Sequence, residues 1–355
     1  MKISVILNRA NRSWILQKIA ENLCESLVSA GHIALISECP DSSADIIHHM
    51  SWAFSNIKVA QPSTMLITHL DDFHKVRQVK EMLASTVSVG VCMSSHTMHY
   101  LISQGVPEEK LFYISPAHDA LLAPRRIVIG VTTRLYPDGR KRESLLKGLA
   151  ERISLLAFEF RIFGEGWDAI VPVLEKAGAK VTYFRESDDY RKDYEIMLSE
   201  IPKFDYYLYL GLDEGSLGTL DALCAGVPTI VTPQGFHVDL PGGITHPVVT
   251  ESDLVSVFSE IQSGSRSRRL AVSDLTWERY AEKHIVLWQS LLAHGEVPVL
   301  DGTEKKYISN PAVEGEIART SLANSFSVRR ILASISHHPR LRRVRSLVDK
   351  VRLGR

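Results

Sequence analysis

Residues 204–240 form the segment that most restricts what this chain folds into. The segment contains a short apolar strand, a glycine-rich loop, a helix that stops at Gly226 and a second apolar strand. The predicted bounds are Tyr206–Leu210 for the first strand, Leu217–Cys224 for the helix and Thr229–Thr232 for the second strand. A strand, a loop, a helix and a second strand in this order are typical of an α/β fold.

The loop of this segment has the composition of an anion site. Its backbone N–H groups and the positive end of the following helix converge, which suits a phosphate or diphosphate. Two acids, Glu214 before the helix and Asp221 about two turns later, are spaced to flank one ligand. Because an ionised carboxylate only accepts hydrogen bonds, such acids suit a ligand rich in hydroxyl groups, and a nucleotide-sugar fits this description. An ordinary strand–helix–strand unit with an acidic first turn is the alternative. The loop residues expected to contact the ligand are Asp213, Glu214, Gly215, Ser216, Leu217 and Gly218.

These residues resemble the donor-binding motif of the retaining GT-B glycosyltransferases, the group 1 or family four enzymes. The resemblance rests on Glu214-Gly215, on Leu220-Asp221-Ala222-Leu223 and on Gly226-Val227-Pro228. Family members place seven residues between two acids, whereas six separate Glu214 from Asp221 here and seven separate Asp213 from Asp221. The resemblance therefore makes Glu214 or Asp213 the first, catalytic acid, and assigns Asp221 to the donor ribose.

A second part of the resemblance begins at Arg134. A predicted strand over 127–131 leads to Arg134, then to a loop with proline and glycine, and then to Arg140-Lys141 before a helix. Two cations placed in this way suit one diphosphate. Family members hold the donor phosphates with an arginine and a lysine here, which implies this role for Arg134 and for Lys141 or Arg140. Gly164-Glu165-Gly166 resembles the family's Gly-acid-Gly turn and implies a donor contact at Gly164.

Histidines mark the carboxyl ends of two strands predicted in the first 122 residues. They are His48-His49 and His69, and ligands bind at this edge of an open parallel sheet. A family histidine often follows the strand of His69, so the resemblance makes His69 a catalytic candidate, with a structural hydrogen bond as the alternative. The chain has no HExxH or DxD signature, and we expect neither a metal ion nor another cofactor.

Composition sets the remaining bounds. The 355 residues are 45% apolar and 23% charged, as expected of a globular protein long enough for two domains. There is no apolar run of about 18 residues and no signal-peptide pattern, so a cytoplasmic location is expected. The four cysteines are scattered, which predicts buried free thiols rather than disulfides or a metal site.

The neutral net charge hides a basic carboxyl-terminal segment. Nine Lys or Arg residues and one acid lie between Arg329 and Arg355. Apolar residues recur at helical spacing in the same segment, so it predicts a basic amphipathic helix. Such a helix suits an anionic membrane surface on the inner face of the cell, or an acidic partner. A helix docked on the body of the protein is the alternative, and without interleaved aromatic residues nucleic acid is not expected.

The residue patterns predict an α/β protein, and the resemblance implies the GT-B class, with two Rossmann-like domains and a cleft between them. The expected parts are an acceptor-side domain over 1–122, a donor domain over 126–292, a linker over 293–325 and a basic tail over 326–355. The activity that the resemblance implies is that of a retaining, metal-independent hexosyltransferase, which moves a sugar from a nucleotide-sugar to a glycan or lipid-linked glycan. The basic tail favours a lipid-linked glycan, as in bacterial surface polysaccharide synthesis. Three alternatives stay open: a nucleotide-sugar epimerase, a non-catalytic nucleotide-sugar-binding partner, and a membrane-tethered scaffold that acts through its tail.

Overall fold

The computed structural model describes residues 1–8, 14–55, 58–68, 70 and 72–298. The catalytic candidate His69, most of the predicted linker and the whole predicted basic tail lie outside these residues. The chain divides into two compact units, one of residues 1–120 together with the chain from Asp274 onward and one of residues 121–273. Among the helices of the described ranges, none combines the length and apolar character needed to cross a membrane.

The first unit contains a six-stranded parallel sheet with the order β2-β1-β3-β4-β5-β6. Its strands are β1 (Lys2–Ile6), β2 (Ile33–Ser37), β3 (Ile46–His49), β4 (Ser63–Ile67), β5 (Val89–Cys92) and β6 (Leu111–Tyr113). The helices along this part of the chain are α1 (Ile15–Ser29), α2 (Phe73–Ser85) and α3 (Ser95–Ser103). Every residue of β3 and β4 is buried, as expected for central parallel strands that are covered on both faces.

Polar side chains start two of these helices. Asp72 accepts a hydrogen bond of 2.8 Å from the N–H of Lys75 at the start of α2. Ser94 accepts one of 3.1 Å from the N–H of Thr97 at the start of α3. Each cap satisfies a backbone donor that has no partner inside its own helix, and so defines where the helix begins.

The second unit contains another six-stranded parallel sheet, with the order β12-β11-β10-β7-β8-β9. Its strands are β7 (Ile127–Thr132), β8 (Phe158–Phe163), β9 (Lys180–Phe184), β10 (Tyr206–Tyr209), β11 (Thr229–Val231) and β12 (His246–Pro247). Its helices are α4 (Ser144–Arg152), α5 (Val171–Lys176), α6 (Tyr190–Glu200), α7 (Leu217–Cys224) and α8 (Glu251–Leu270). The two sheets confirm the predicted pair of Rossmann-like domains, the organisation of a GT-B fold.

The strand order of the second sheet marks where a ligand would bind. Successive strands run outward in one direction from β7 and in the other direction from β10, and these two strands are neighbours. In an open α/β sheet, ligands bind beyond the carboxyl ends of the strands at such a reversal. A ligand of the second unit is therefore expected at the loops that follow β7 and β10.

The last described helix, α9 (Trp277–His294), corrects the domain boundary expected from the sequence. The sequence predicts that residues up to 292 belong to the second domain, but α9 belongs to the first unit. Its buried residues Trp277 and Trp288 join the same core as Leu23 of α1. The indole of Trp277 also donates a hydrogen bond of 2.9 Å to Asp119. An amphipathic pattern shows that a helix covers an apolar surface without showing which sheet supplies it.

Histidines are buried where α9 covers the first sheet. The Nδ1 atom of His48 lies 2.8 Å from the hydroxyl of Thr64, which also accepts a hydrogen bond of 3.1 Å from the indole of Trp288. The rings of His48 and His284 meet edge to face at 5.1 Å. Both Nε2 atoms and both ring nitrogens of His49 are buried without a hydrogen-bond partner. Because buried polar atoms are normally paired, this cluster is a weak point in the stability of the first unit.

Candidate functional site

The loops after β7 and β10 meet at the reversal of the second sheet. The N–H of Leu212 donates a hydrogen bond of 2.9 Å to the carbonyl of Arg140 and so joins the two loops. This contact brings the predicted cations of the first loop to the predicted acids of the second. The structure therefore gathers at one edge residues that lie about seventy positions apart in the chain, such as Lys141 and Asp213, whose separation is 72.

Lys141 and Asp213 form the centre of this edge. The Nζ atom of Lys141 lies 2.7 Å from Oδ2 of Asp213 and 2.6 Å from the hydroxyl of Tyr209. That hydroxyl donates to Oδ1 of Asp213, which also accepts the N–H of Gly215 at 3.3 Å. The side chains of Lys141 and Asp213 are 10% and 24% exposed. The loops after β7 and β10 and the last residue of β10 thus share one compact, charged network.

The network keeps Asp213 ionised. Burial alone would raise the pKa of this carboxyl, but the hydrogen bonds from Lys141 and Tyr209 outweigh burial and hold the pKa below its usual value. Burial and the neighbouring Asp213 raise the pKa of Tyr209, so its hydroxyl stays protonated and donates. Asp213 is therefore a charged group that is already engaged by the chain.

Glu214, the other candidate for the first acid, is exposed beside this network. Its carbonyl accepts a hydrogen bond of 3.1 Å from the N–H of Phe236 in the loop after β11. Gly215, at a φ of +112°, has no room for a side chain, since a Cβ there would lie 2.7 Å from the Phe236 ring and 3.0 Å from Nε2 of His237. The backbone of Glu214 is therefore held, while its carboxylate remains open to solvent.

His237 belongs to a segment, residues 233–237, that the sequence predicts to face this edge, and the structure gives its individual contacts. It is 1% exposed, and its Nδ1 lies 3.1 Å from the carbonyl of Thr232, to which it must donate. Its Nε2 then accepts from the hydroxyl of Thr219 at 2.9 Å and from the N–H of Ser216 at 3.3 Å. This network assigns the neutral tautomer with the proton on Nδ1. A histidine soon after a buried strand was the available signal, but its partners lie about twenty residues back, at separations of 18 and 21.

The first turn of α7 lies against the end of β7. The hydroxyl of Tyr207 lies 2.8 Å from that of Ser216 and 3.0 Å from that of Thr132. A Cβ on Gly218 would overlap Thr132 and lie 2.7 Å from the Tyr207 hydroxyl. Gly218 thus allows the helix to approach, which places the positive end of α7 at the reversal of the sheet. Leu217 is exposed and Asp221 is half-buried on the next turn.

We expect the substitution Gly218→Ala to destabilise the second unit by about 1–3 kcal/mol, because overpacking forces the helix or its neighbours to move. Gly264→Ala in α8 is the matched control, since the nearest atom to its Cβ would be the flexible tip of Arg268 at 3.5 Å. Alanine at an open helical position is favourable by about 0.5–1 kcal/mol. Urea unfolding of both variants measures the difference. Equal stabilisation by the two substitutions would show that a Cβ at Gly218 fits between α7 and the end of β7.

Arg134 lies beside an aromatic cavity of about 350 Å³ at the ends of β7, β8 and β9. Its guanidinium forms a bidentate ion pair with Glu186, which follows β9. Gly164, at a φ of +106°, lets the loop after β8 lie against the backbone of Arg134, because a Cβ would be 3.0 Å from the Arg134 nitrogen. Residues that line the cavity include Arg134, Phe163, Gly164, Phe184, Tyr190 and Tyr194.

The two other basic residues of the loop after β7 have different environments. Arg140 is exposed, with its guanidinium carbon 4.1 Å from the centre of the Tyr136 ring. Arg142 has a φ of +55°, unusual for a residue with a side chain, and its guanidinium donates to the carbonyl of Val249. Arg142 had no predicted role. Between Arg140 and Lys141, it is Lys141 that the structure places inside the network with Asp213.

The described part of the chain contains no group of three or more His, Cys, Asp or Glu residues arranged to hold a metal ion. Arg134 and Lys141 each contact a carboxylate of the chain itself. Candidate groups for an anionic ligand at this edge are therefore two ion-paired cations and the start of α7.

No protein-family model matches the sequence, and no curated protein matches it. Three solved structures illustrate its similarity to known proteins. The Anabaena protein HepE, in complex with UDP and glucose, is 12% identical, with 82% of this chain and 100% of that chain covered and a TM-score of 0.34. A glycosyltransferase from Rickettsia africae is 11% identical, with 82% of this chain and 99% of that chain covered and a TM-score of 0.34. AviGT4, a glycosyltransferase involved in avilamycin A biosynthesis, is 13% identical, with 84% of this chain and 100% of that chain covered and a TM-score of 0.33.

Proposed function

We propose that this protein is a glycosyltransferase whose second unit binds a nucleotide-sugar donor. The observation that carries the proposal is that Lys141 and the start of α7 lie at the strand reversal of the second sheet, while Arg134, in the same loop after β7, lines the adjoining aromatic cavity. Two cations of one loop and a helix N-terminus beside that loop suit a diphosphate. The adjoining aromatic cavity offers stacking surfaces for a nucleobase.

In this proposal each residue contacts a different part of the donor. Arg134 and Lys141 contact the diphosphate, with the backbone N–H groups of Leu217 and Gly218. Asp221 accepts hydrogen bonds from the ribose, and Glu214 accepts them from the transferred sugar, since its carboxylate is open to solvent. Asp213 orients Lys141 through the contact of 2.7 Å.

The chemistry follows from where charge develops. As the bond between the anomeric carbon and the diphosphate oxygen breaks, negative charge accumulates on that oxygen, and Lys141 and Arg134 stabilise it without requiring a metal ion. The anomeric carbon bonds to a hydroxyl oxygen of the acceptor, a glycan or lipid-linked glycan. In the retaining form of this proposal, the proton of that hydroxyl passes to the leaving phosphate. His69 is proposed to act near the transferred sugar.

A non-catalytic nucleotide-sugar-binding protein is the second candidate, and one observation favours it. Both cations are already paired with carboxylates of the chain, so the local charge available to a leaving diphosphate is lower than two free cations would supply. Such a protein would bind a donor and leave it intact.

Calorimetry and donor hydrolysis with UDP-, GDP-, ADP-, CMP- and dTDP-sugars in EDTA test the proposal. We expect one donor class to bind, and Arg134→Ala to weaken it about 10- to 100-fold, as for loss of a charge-assisted hydrogen bond. Arg125→Ala is the matched control, because Arg125 is also ion-paired, with Asp205, but precedes β7 at the opposite edge of the sheet. Binding without hydrolysis or transfer supports the non-catalytic candidate, and no binding by any donor excludes both.

A further inference from the structure

Glu186 is ion-paired with the guanidinium of Arg134, which the proposed donor diphosphate would contact. Both of its carboxylate oxygens accept from Arg134, through Nε and Nη2. The two residues follow β7 and β9, which are separated by β8, so the ion pair spans the end of the intervening strand. Both residues also line the aromatic cavity. A bidentate carboxylate presents two oxygens to a guanidinium in the same way as a phosphate does.

We propose that Glu186 is a residue that sets donor affinity, by competing with the donor diphosphate for Arg134. This inference rests on the proposed function. In the free protein Glu186 satisfies the guanidinium, and on binding the donor phosphate takes its place. The exchange releases a carboxylate and keeps Arg134 paired in both the free and the donor-bound end states.

Exposure shows why this pair is exchangeable and the other is not. The Arg134 side chain is 56% exposed and Glu186 is 23% exposed, whereas Lys141 is only 10% exposed and is also held by Tyr209. An ion pair open to solvent contributes about 0.2–1 kcal/mol, so it opens often. The ion pair of Lys141 and Asp213 therefore stays formed, while the ion pair of Arg134 and Glu186 can open and be exchanged for a ligand.

The size of the effect follows from this competition. If only the open form binds, the apparent dissociation constant rises by the reciprocal of the open fraction. For a pair of the strength expected here, that factor is about two- to sixfold. Glu186→Gln should therefore tighten UDP or another bound nucleoside diphosphate by about this factor at low salt. The advantage should shrink as ionic strength rises, because salt screens the competing pair.

A double-mutant cycle separates competition from other roles of Glu186. Calorimetry measures the dissociation constant of the nucleoside diphosphate for the wild type, Glu186→Gln, Arg134→Ala and the double variant. If Glu186 acts through Arg134, its substitution tightens binding in the wild type and has no effect once Arg134 is alanine. Asp168→Asn is the matched control, since Asp168 pairs with Arg185 of the same cavity wall and should leave the affinity unchanged.

Each outcome decides the matter. Tightening by Glu186→Gln that disappears in the Arg134→Ala background supports the inference. If Glu186→Gln binds the nucleoside diphosphate more weakly than the wild type, or equally well, the inference is overturned while the proposed function stands. If Glu186→Gln loses affinity for the nucleoside diphosphate of one base only, Glu186 is a nucleobase contact instead. Tightening that persists without Arg134 also overturns it, as general electrostatic repulsion. If neither the wild type nor Glu186→Gln binds any nucleoside diphosphate, both the inference and the proposed function fail.

Discussion

Replacing Lys141 by methionine is expected to reduce donor turnover about 100- to 1,000-fold, the usual cost of removing one preorganised group from a developing oxyanion. Lys141 is 10% exposed and contacts Asp213 and Tyr209 at 2.7 and 2.6 Å, so its ammonium group is held before any ligand arrives. Methionine keeps a similar unbranched length and removes the charge. Donor hydrolysis and transfer, measured with the donor found by calorimetry, report the loss.

The same substitution should also lower stability, because Asp213 loses its cation in a partly buried place. An uncompensated polar group of this kind costs about 1–3 kcal/mol. The double variant Lys141→Met with Asp213→Asn removes both charges and should recover stability without recovering turnover. Lys147→Met, on the exposed face of α4, is the control for losing one lysine nearby. Full turnover in Lys141→Met would remove this residue from the proposed mechanism.

Acidification from pH 6.5 toward pH 4 is expected to destabilise the first unit strongly, through its buried histidines. Burial lowers the pKa of His49 and of His284 to about 4, and burial with the neighbouring His284 and His49 lowers the pKa of His48 well below its usual value. The unfolded chain binds these protons near pH 6.5 and the folded chain does not, so the free energy of unfolding falls as the pH falls through this window. At pH 4, His284 alone accounts for a loss of about 3 kcal/mol.

Urea unfolding between about pH 7.5 and pH 4 measures this loss, and a single substitution identifies its source. His284→Phe keeps a ring beside Trp288 and removes one titrating group, so its stability should depend less steeply on pH. His294→Gln, exposed at the end of the same helix, should keep the wild-type slope. Aspartates with lowered pKa values, such as Asp213 and Asp119, lose their contribution only at lower pH, so they do not obscure the window. An unchanged slope for His284→Phe would assign the acid sensitivity elsewhere.

Local chemistry made much of the second sheet predictable. The strand at Tyr206, the helix Leu217–Cys224 and the following strand at Thr229 lie where the sequence placed them. Gly226, at a φ of +74°, permits the turn after α7 through its own backbone, so its role is visible locally. Arg134, Lys141 and Asp213 were also predicted together, because short loops after parallel strands must meet at one edge of the sheet.

Other features depended on residues that only the folded chain brings together. Glu186, His237 and Arg142 act through partners 18 to 107 positions away, and no spacing rule connects them. Likewise α9 carries an amphipathic pattern that fits either sheet, and packing with α1 and the buried histidines decided that it covers the first. The sequence by itself determined the alternating elements, the glycine turns and the charged loops, because these depend on neighbouring residues. Tertiary structure alone decided which carboxylate neutralises which cation, because that depends on distances between loops that the chain order does not contain.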